Sequence, residues 1–577
     1  MGGAVSTTPQ KPTLSTTMRV PTDAERLIPT PEEWLAADPD PNTRAELEAL
    51  LEAGDQGGIE DRFGDRLRFG TAGIRGPMGA GPNRMNRVVV RQFAAALAEW
   101  LGGRGGVVIA HDARQNSDIF AADVAEVLAG AGCWPVTLPP NTPTPVLAFA
   151  VTQLTCAAGV MVTASHNPVG DNGLKLYLAD GAQVIPPHDQ AIEAAMAAQT
   201  LPPRDLPDRG PDPEWPQRVT VEVEYIAAIL ANVPSLYSFH PLAYTPLQGV
   251  GLHYVNFALT YLENGEPFVV EDEAEPDPLF RNVVSPNPEN HDTLAKVIRR
   301  AEQIDTPLAI ANDPDADRMA AAVWAYENEW RVLTGDEIGA LLCDWILGLR
   351  TGSGGDERVV ASSIVSGRLV GRIAEARGAT HVETLTGFKW IARAADNLDP
   401  RDDGLDWRFV FGYEEALGFA CNDRVKDKDG ISAAVHFTMM CRWLAYEDGR
   451  TPIERLGELM DEFGLHRTDQ VSIDLGGRPA SELMEVIRAD YPQRFGSIEV
   501  AQITDYQNGV GRLYPADVLR FNLADGSRVS LRPSGTEPQI KGYIEVVGEI
   551  QVPDPLHSLS ESVRELIYEA SSAISDR

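Results

Sequence analysis

The 577-residue sequence has few cysteines and no long apolar run. Its five cysteines are an odd number and none forms a C-x-x-C pair, which favours buried free thiols in a reducing compartment. No segment approaches the roughly 18 apolar residues of a membrane-spanning helix. The first 20 residues also lack the apolar centre of a signal peptide. We therefore predict a cytoplasmic chain with no membrane partner.

Basic residues are scarce relative to acidic ones, with 49 Lys and Arg against 84 Asp and Glu, and the net charge is −35. This excess argues against nucleic acid as a partner. It does not exclude a phosphorylated small molecule, because a local basic pocket acts within a screening length of about 10 Å. The most acidic run, residues 271–277, is interpreted as a loop.

The length exceeds what one core can hold and predicts three to five domains. A strand, a turn and a helix occur three times, with strands predicted at 107–110, 242–244 and 359–361. This pattern predicts three related α/β units with mixed sheets. Residues 202–216 contain six prolines and are interpreted as a linker. The predicted divisions are a partly disordered tail at 1–40 and domains at 41–215, 216–330, 331–465 and 466–577.

A serine turn follows the predicted strand 157–162. The turn reads Thr163-Ala164-Ser165-His166-Asn167-Pro168 and places Ser165 at the exposed end of a rigid element. Backbone N–H groups of such a turn can form an anion-binding nest. Lys175 is close enough in sequence to return a positive charge to it. The turn is therefore a candidate phosphate-handling site.

Three carboxylates alternate in Asp313-Pro314-Asp315-Ala316-Asp317, directly after the apolar strand 308–311. Like charges repel at contact distance, so this arrangement indicates a hard divalent cation, for which Mg²⁺ is suited. A calcium loop of the EF-hand type requires Gly at its sixth position and Glu at its twelfth. Arg318 and Trp324 stand there instead, and that alternative is rejected.

Three further segments carry residues suited to a sugar phosphate. Arg75 lies between glycines at 73 and 76 and could clamp a phosphate in a bidentate manner. Glu414 could accept hydrogen bonds from two sugar hydroxyls. Residues 532–536, Arg-Pro-Ser-Gly-Thr, combine a guanidinium, two hydroxyls and backbone N–H groups that can cradle a phosphate. Taken singly, each segment equally fits an ordinary surface turn.

Together and in this order, T-A-S-H-N-P, D-P-D-A-D-R, G-Y-E-E-A-L-G and R-P-S-G-T-E-P resemble the motifs of the α-D-phosphohexomutase family, from about residue 40 onward. The resemblance implies a four-domain, heart-shaped α/β fold, with three related mixed-sheet domains and a C-terminal α+β domain around one cleft. It implies a mutase that interconverts sugar 1-phosphate and 6- or 5-phosphate through a phosphoserine and a bisphosphate intermediate. Glucose 1-phosphate is the first expected substrate, with Mg²⁺ as cofactor and a sugar bisphosphate such as glucose 1,6-bisphosphate as activator.

The resemblance also implies roles for individual residues. The expected catalytic residues are Ser165, His166, Arg75 and Lys175, and the expected metal ligands are Ser165, Asp313, Asp315 and Asp317. The expected sugar contacts are Arg318, Thr386, Gly387, Glu414, Ala416 and Lys428. The expected phosphate contacts are Arg532, Ser534, Gly535 and Thr536.

The sequence departs from the family pattern at three places. Ala416 stands where classical phosphoglucomutases carry serine, a form that resembles the branch with phosphopentomutases and glucose-1,6-bisphosphate-linked enzymes. Gln248 replaces a histidine common in that branch, and residues 285–289 follow its F-P-N-P pattern only loosely. We expect neither of the last two to touch the four motifs.

Alternative functions remain open at this point. Within the same class, a phosphopentomutase or a phosphomannomutase fits the same motifs. Another alternative is a hydrolase that uses Ser165 as nucleophile, against which an intact, water-excluding cleft would argue. The last is a non-catalytic sugar-phosphate-binding protein, against which the retention of Ser165 and three aspartates argues. We expect a monomer or a weak homodimer.

Overall fold

The structure is a computed structural model, and it describes residues 28–70, 73–204, 218–234, 241–325, 329–349, 358–401, 406–476, 478–534, 539–548 and 555–575. Most of the predicted N-terminal tail and of the proline-rich linker lies outside these residues. No helix within them is long and apolar enough to cross a membrane. Four sheets follow one another along the chain.

The first sheet has five strands in the order β1-β5-β4-β2-β3. β4 is parallel to β2 and antiparallel to β5. It is a continuous small apolar run that is buried throughout, as expected for a central strand covered on both faces. The strands are β1 (Gly73–Pro77), β2 (Gly106–His111), β3 (Trp134–Thr137), β4 (Ala158–Val162) and β5 (Asp171–Leu178). The helices are α1 (Pro31–Ala37), α2 (Pro41–Ala53), α3 (Gln56–Phe63), α4 (Arg87–Trp100), α5 (Ser117–Gly130), α6 (Thr144–Gln153) and α7 (His188–Ala198).

The second sheet is also mixed, with β8 parallel to β6 and antiparallel to β9. Its order is β10-β9-β8-β6-β7. The strands are β6 (Ala243–Thr245), β7 (Phe268–Val269), β8 (Leu308–Asn312), β9 (Met319–Trp324) and β10 (Trp330–Val332). The helices are α8 (Arg218–Leu230), α9 (Leu252–Tyr261) and α10 (Ala295–Gln303), with 3₁₀ turns at Glu271–Glu273 and His291–Leu294.

The third sheet has the order β12-β11-β13-β14 and is mixed as well. Its strands are β11 (Arg358–Ser363), β12 (Thr380–Thr384), β13 (Arg408–Glu414) and β14 (Gly418–Ala420). Its helices are α11 (Gly335–Gly348), α12 (Leu369–Ala376), α13 (Phe388–Ile391), α14 (Gly430–Trp443) and α15 (Pro452–Phe463). The predicted strand–turn–helix pattern is therefore found in all three sheets.

The fourth sheet is antiparallel throughout and has six strands in the order β15-β20-β19-β18-β17-β16. Two helices cover it, which gives the α+β arrangement predicted for the C-terminal part. Its elements are β15 (His466–Asp474), α16 (Ala480–Ala489), β16 (Arg494–Phe495), β17 (Ile498–Asp505), β18 (Leu519–Leu523), β19 (Arg528–Pro533), β20 (Gln539–Val547) and α17 (Pro555–Ser575).

The apolar interior is distributed unevenly among these units. One large cluster of buried side chains runs without interruption from Val108 under the first sheet, through the second, to Leu459 under the third. The C-terminal sheet has a separate cluster with its own α16 and α17 side chains. Among the described residues, a small apolar cluster that includes Ile364, Leu385 and Tyr543 joins the third and fourth sheets.

Candidate active site

The serine turn begins where β4 ends. Ser165 has a φ of 51°, in the left-handed region, and its N–H donates to Thr163 Oγ1 at 2.8 Å. The Thr163 hydroxyl in turn donates to Asp112 Oδ2 at 2.6 Å. A non-glycine residue holds this backbone conformation only where surrounding contacts impose it. Two side chains therefore fix the turn: that of Thr163, directly after β4, and that of Asp112, directly after the neighbouring strand β2.

Arg114 holds the same turn from the side. Its guanidinium donates to the backbone carbonyls of Asn167 at 2.7 Å, Pro168 at 3.0 Å and Asp171 at 3.2 Å, and also to that of Ser165. Its side chain is buried. One planar cation thus holds four carbonyls of the turn and of the residues that follow it.

The Ser165 hydroxyl is aimed at the acidic loop of the second unit. Ser165 Oγ donates to Asp313 Oδ2 at 2.9 Å and lies 3.1 Å from His166 Nδ1. The predicted nucleophile and the predicted metal loop, which belong to different sheets, are thereby in direct contact. Burial and the positive charges of Arg318 and Arg75 hold the pKa of His166 well below its usual value, so its imidazole is neutral at pH 7.

Asp313, Asp315 and Asp317 follow β8 in a tight turn in which Ala316 has a φ of 56°. One carboxylate oxygen of each lies within 4.8 Å of the others, and all three side chains are fully buried. Burial and the negative charges of Asp317 and Asp315 raise the pKa of Asp313 to about 7. Among the described residues, Asp315 Oδ1 and Asp317 Oδ1 have no hydrogen-bond partner. Buried oxygens without donors, close to one another, suit a hard divalent cation.

Two lysines from different sheets meet on the acidic loop. Lys175 Nζ, on β5, lies 2.6 Å from both Asp315 Oδ2 and Asp317 Oδ2. Lys428 Nζ lies 2.9 Å from the same Asp317 oxygen. Although burial alone would raise it, these two ammonium groups hold the pKa of Asp317 well below its usual value. Lys175, which was predicted to return a positive charge to the serine turn, contacts the acidic loop with which Ser165 is hydrogen-bonded.

Arg75 lies on a strand and not in a sharp turn, which corrects the expectation drawn from its flanking glycines. It pairs with Gly173 of β5, and Gly73 must be glycine because a Cβ there would lie 1.8 Å from the carbonyl oxygen of Leu174. No described residue accepts a hydrogen bond from its guanidinium. Arg75 therefore offers an uncommitted cation near His166 and the serine turn.

Arg318, a predicted sugar contact, is occupied by protein groups. Its guanidinium lies 3.3 Å from Asp313 Oδ2, 2.6 Å from Glu289 Oε1 and 3.4 Å from Asn287 Oδ1. The expectation that residues 285–289 do not touch the motifs is therefore wrong. Gln248 Oε1, in contrast, accepts a hydrogen bond from the backbone N–H of Asn282, and Gln248 makes no hydrogen bond to a described residue of the four motifs.

The two predicted sugar segments meet at Glu414, the last residue of β13. Glu414 Oε1 accepts a hydrogen bond from the N–H of Gly387 at 2.6 Å, and burial raises the pKa of this carboxyl. Thr386 and Ala416 are half-buried beside it. Lys428 also faces this point, since a Cβ on Gly418 would meet both its Cδ and Glu414 Oε2. The sugar segment is thus joined to the acidic loop through Lys428.

Arg532 and Ser534 lie at the end of β19, and Gly535 and Thr536 lie outside the described residues. Ser534 N–H donates to the carbonyl of Gln539 at 2.8 Å, which returns the chain to β20. Burial raises the pKa of Glu414, and the positive charges of Lys428 and Arg532 oppose this effect, so Arg532 is close enough to the sugar segment to act on it electrostatically. The C-terminal sheet therefore presents a cation to the same cleft.

Family models match the chain in four consecutive blocks. They are phosphoglucomutase/phosphomannomutase α/β/α domains I, II and III at residues 66–202, 223–325 and 334–463, and the C-terminal domain at 484–552. The chain belongs to the phosphoglucomutase/phosphomannomutase family. The protein is therefore an isomerase of the mutase type that acts on sugar phosphates.

Relatives of this phosphoglucomutase/phosphomannomutase family member carry different substrate names. A Haemophilus influenzae protein named "Probable phosphomannomutase" is 38% identical, covering 81% of this chain and 93% of its own length. A Mus musculus phosphopentomutase is 32% identical over 93% of this chain and 92% of its own. A crystal structure of a Burkholderia thailandensis family protein aligns over 87% of this chain and 97% of its own, with a TM-score of 0.64 and 19% identity, and supports the fold alone.

Several residues of this family member's site were missed by sequence reasoning, namely Asp112, Arg114, Thr144, Asn287 and Glu289. Asp112 and Arg114 directly follow β2, which is the parallel neighbour of β4. Polar residues at the same end of adjacent parallel strands lie at one sheet edge, so that signal was present. Thr144, whose hydroxyl donates to Asp315 Oδ2 at 2.5 Å, begins a helix in a different unit, and no local pattern marks it.

Proposed function

We propose that this mutase interconverts glucose 1-phosphate and glucose 6-phosphate, with Ser165 as the phosphorylated residue. The observation that carries the proposal is the contact between the Ser165 hydroxyl and Asp313 of the acidic loop. In the proposed cycle, phosphorylated Ser165 transfers its phosphoryl group to a sugar monophosphate hydroxyl. The bisphosphate reorients, and its other phosphoryl group returns to Ser165.

Asp313, Asp315, Asp317 and Ser165 Oγ are the groups that would hold Mg²⁺ in this proposal. When bound, the ion would neutralise the phosphoryl oxygens and polarise phosphorus. The three fully buried carboxylates and the two unpartnered oxygens support this ligand set. Thr144 and Lys175 keep the carboxylates oriented.

The transfer step also needs proton handling at Ser165 and at the sugar hydroxyl. As the serine–phosphorus bond breaks and the bond from the sugar oxygen to phosphorus forms, the hydroxyl proton passes to a base. Lys175 and Arg75 are our general acid/base candidates. His166, 3.1 Å from Ser165 Oγ, is a third group that can accept a proton there.

Substrate binding is assigned to the opposite side of the cleft. Glu414 would accept bonds from two sugar hydroxyls, with Thr386, Gly387 and Ala416 shaping the pocket and Lys428 meeting a phosphate or hydroxyl. Arg532, with Ser534, Gly535 and Thr536, would hold the phosphate that is not reacting. We assign Arg318 to fixing the acidic loop, because its guanidinium contacts Asp313 and Glu289.

The choice between a hexose and a pentose substrate depends on the residues beside Glu414. Ala416 contributes no hydroxyl, so the site distinguishes hexose from pentose less by hydrogen bonding. The names of the relatives also include a pentose enzyme and a mannose enzyme. Phosphopentomutase activity is therefore the second candidate function. A sugar bisphosphate activator, a cytoplasmic location and a monomer or weak homodimer belong to the same proposal.

The deciding experiment is a panel of glucose, mannose, ribose and deoxyribose 1-phosphates, each with its matching bisphosphate. We expect the highest kcat/KM for glucose 1-phosphate. A higher value for ribose or mannose 1-phosphate would reassign the substrate while leaving the mutase chemistry unchanged.

A further inference from the structure

A buried carboxylate, Asp427, joins the first unit to the segment that carries Lys428. Tyr177 OH donates to Asp427 Oδ2 at 2.6 Å, and Gln183 Nε2 donates to the same oxygen at 2.8 Å. The other oxygen, Asp427 Oδ1, accepts from the backbone N–H of Lys428 at 2.8 Å. Asp427 and Tyr177 are both fully buried. The cycle proposed above uses neither of them, nor Gln183.

The position of Lys428 depends on this carboxylate. Lys428 has a long flexible side chain whose Nζ reaches Asp317 Oδ2 at 2.9 Å, and its backbone N–H is bonded to Asp427. A flexible lysine points to a fixed place only when its backbone is held. The hydrogen bonds to Asp427 hold it against the first unit.

Strand β5 carries one residue that contacts the acidic loop and another that contacts Asp427. Lys175 and Tyr177 are two residues apart, so their side chains project from the same face of the strand. Lys175 reaches Asp317, and Tyr177 reaches the carboxylate next to Lys428. The segment with Gln183 is fixed as well, because Arg393 donates to the carbonyl oxygen of Gln183 at 2.8 Å.

We propose that Asp427, held by Tyr177 and Gln183, is a positioning residue that sets Lys428 for substrate binding. This inference rests on the proposed function, in which Lys428 contacts the sugar phosphate. Loss of a hydrogen bond to Asp427 should therefore weaken substrate binding without slowing phosphoryl transfer on enzyme that has bound substrate.

The first test is Tyr177→Phe, which removes the hydroxyl and keeps the ring. We expect KM for glucose 1-phosphate to rise roughly tenfold, the usual size for a hydrogen bond to a charged group, with kcat changed less than about twofold. Gln183→Met removes the second donor to Asp427 and is the substitute if Tyr177→Phe does not fold.

Tyr225→Phe is the matched control. Tyr225 OH donates to another buried carboxylate of the same segment, Asp429 Oδ1, at 2.9 Å, and Asp429 caps α14. This variant should lower thermal stability and leave KM unchanged. An equal rise of KM in both tyrosine variants would overturn the proposal, because it would reflect general loosening of residues 426–430.

A double-mutant cycle with Lys428→Met distinguishes the positioning role of Tyr177 from the substrate-binding role of Lys428. If Tyr177 acts through Lys428, Tyr177→Phe should raise KM in the parent and have no further effect in Lys428→Met. An equal effect in both backgrounds overturns the positioning role. If Lys428→Met raises KM while Tyr177→Phe does not, only this inference fails. If Lys428→Met itself leaves KM unchanged, the proposed role of Lys428 fails first.

Discussion

Ser165 Oγ lies 2.9 Å from Asp313 Oδ2, although 148 positions separate the two residues in the sequence. A phosphoryl group on Ser165 would bring further negative charge against three buried carboxylates, and like charges at such distances repel. A divalent cation between them removes the repulsion. The serine turn and the acidic loop are therefore expected to act together in phosphoryl transfer.

Ser165→Ala should abolish mutase turnover and preserve the fold, because the hydroxyl lies in a turn at the end of β4 and fills no part of the apolar core. Intact mass should show a gain of about 80 Da, one phosphoryl group, in the parent and none in the variant. Circular dichroism should match the parent. Turnover within about tenfold of the parent would remove Ser165 from the nucleophile role.

Chelation should stop activity and lower the thermal unfolding temperature, since the ion stabilises only the folded arrangement of Asp313, Asp315 and Asp317. Added Mg²⁺ should restore both quantities. Asp315→Asn should show neither response, whereas Asp292→Asn, at an exposed position, should behave like the parent. Full activity of metal-free protein would contradict the metal assignment.

Arg532→Ala should raise KM more than it lowers kcat. The guanidinium is proposed to hold the phosphate remote from Ser165, a contact made in ground and transition states alike and worth roughly 1.5–3 kcal/mol. Arg494→Ala, which removes an exposed arginine of the same sheet, serves as control. A large kcat loss at constant KM would instead indicate a contact made only in the transition state.

Glu545 makes the stability of the C-terminal unit dependent on pH. Its carboxylate bonds Arg368 Nε at 2.6 Å and His466 Nδ1 at 2.9 Å, and despite burial these contacts and Arg528 lower its pKa from 4.5 to about 2. A lowered folded-state pKa stabilises the fold above the unfolded pKa. The gain is lost as pH falls from about 4.5 through 2, and the shift corresponds to about 3 kcal/mol at about 1.36 kcal/mol per pKa unit.

Glu545→Gln should therefore destabilise the protein strongly at pH 7 and about half as much near pH 3, between the folded and unfolded pKa values. Urea unfolding of both proteins at the two pH values measures the difference. Glu561→Gln provides the comparison, because Glu561 is exposed and forms an ion pair with Arg564 on the surface of α17. A loss of stability that is equal at both pH values would show that the charge of Glu545 does not matter.

Ala416→Ser should narrow substrate preference toward hexose by about 1 kcal/mol, the size of one ordinary hydrogen bond. The measurement is kcat/KM for glucose and ribose 1-phosphate in both proteins. We expect measurable pentose activity in the parent. No pentose activity in the parent, or an unchanged ratio in the serine variant, would mean that position 416 does not select the sugar.

Local patterns in the sequence predicted the three α/β units, and the family resemblance added the four-domain arrangement. Apolar runs such as residues 157–162 and 308–311 predicted buried strands, and the polar turns after them predicted site loops. The alternating aspartates indicated a cation because their mutual repulsion is a local property. These features need no knowledge of which strands are neighbours.

Contacts between units could not be predicted from such patterns. Lys175 was expected to return a charge to the serine turn, but no local pattern showed that the register of β5 on β4 brings its ammonium onto Asp315 and Asp317. Arg318 has the sequence context of a ligand-binding residue, and only the packing of residues 285–289 shows that Glu289 occupies it. Such pairings depend on how separate sheets dock.

The uneven distribution of the apolar interior has a consequence for unfolding. Three sheets share one continuous cluster, so none of them can open without exposing side chains that stabilise the other two. The C-terminal sheet has its own cluster and meets its neighbour through a small apolar patch and ion pairs such as Arg520–Glu383. Units of this kind open independently when little apolar surface joins them.

Scanning calorimetry should consequently resolve two heat-absorption peaks, a larger one for the first three sheets and a smaller one for the last. Because salt screens partly exposed ion pairs, added salt should move the smaller peak to lower temperature more than the larger one. On heating, the C-terminal sheet with Arg532 would then unfold before the serine turn separates from the acidic loop. Heat would then abolish substrate binding while the serine turn is still folded.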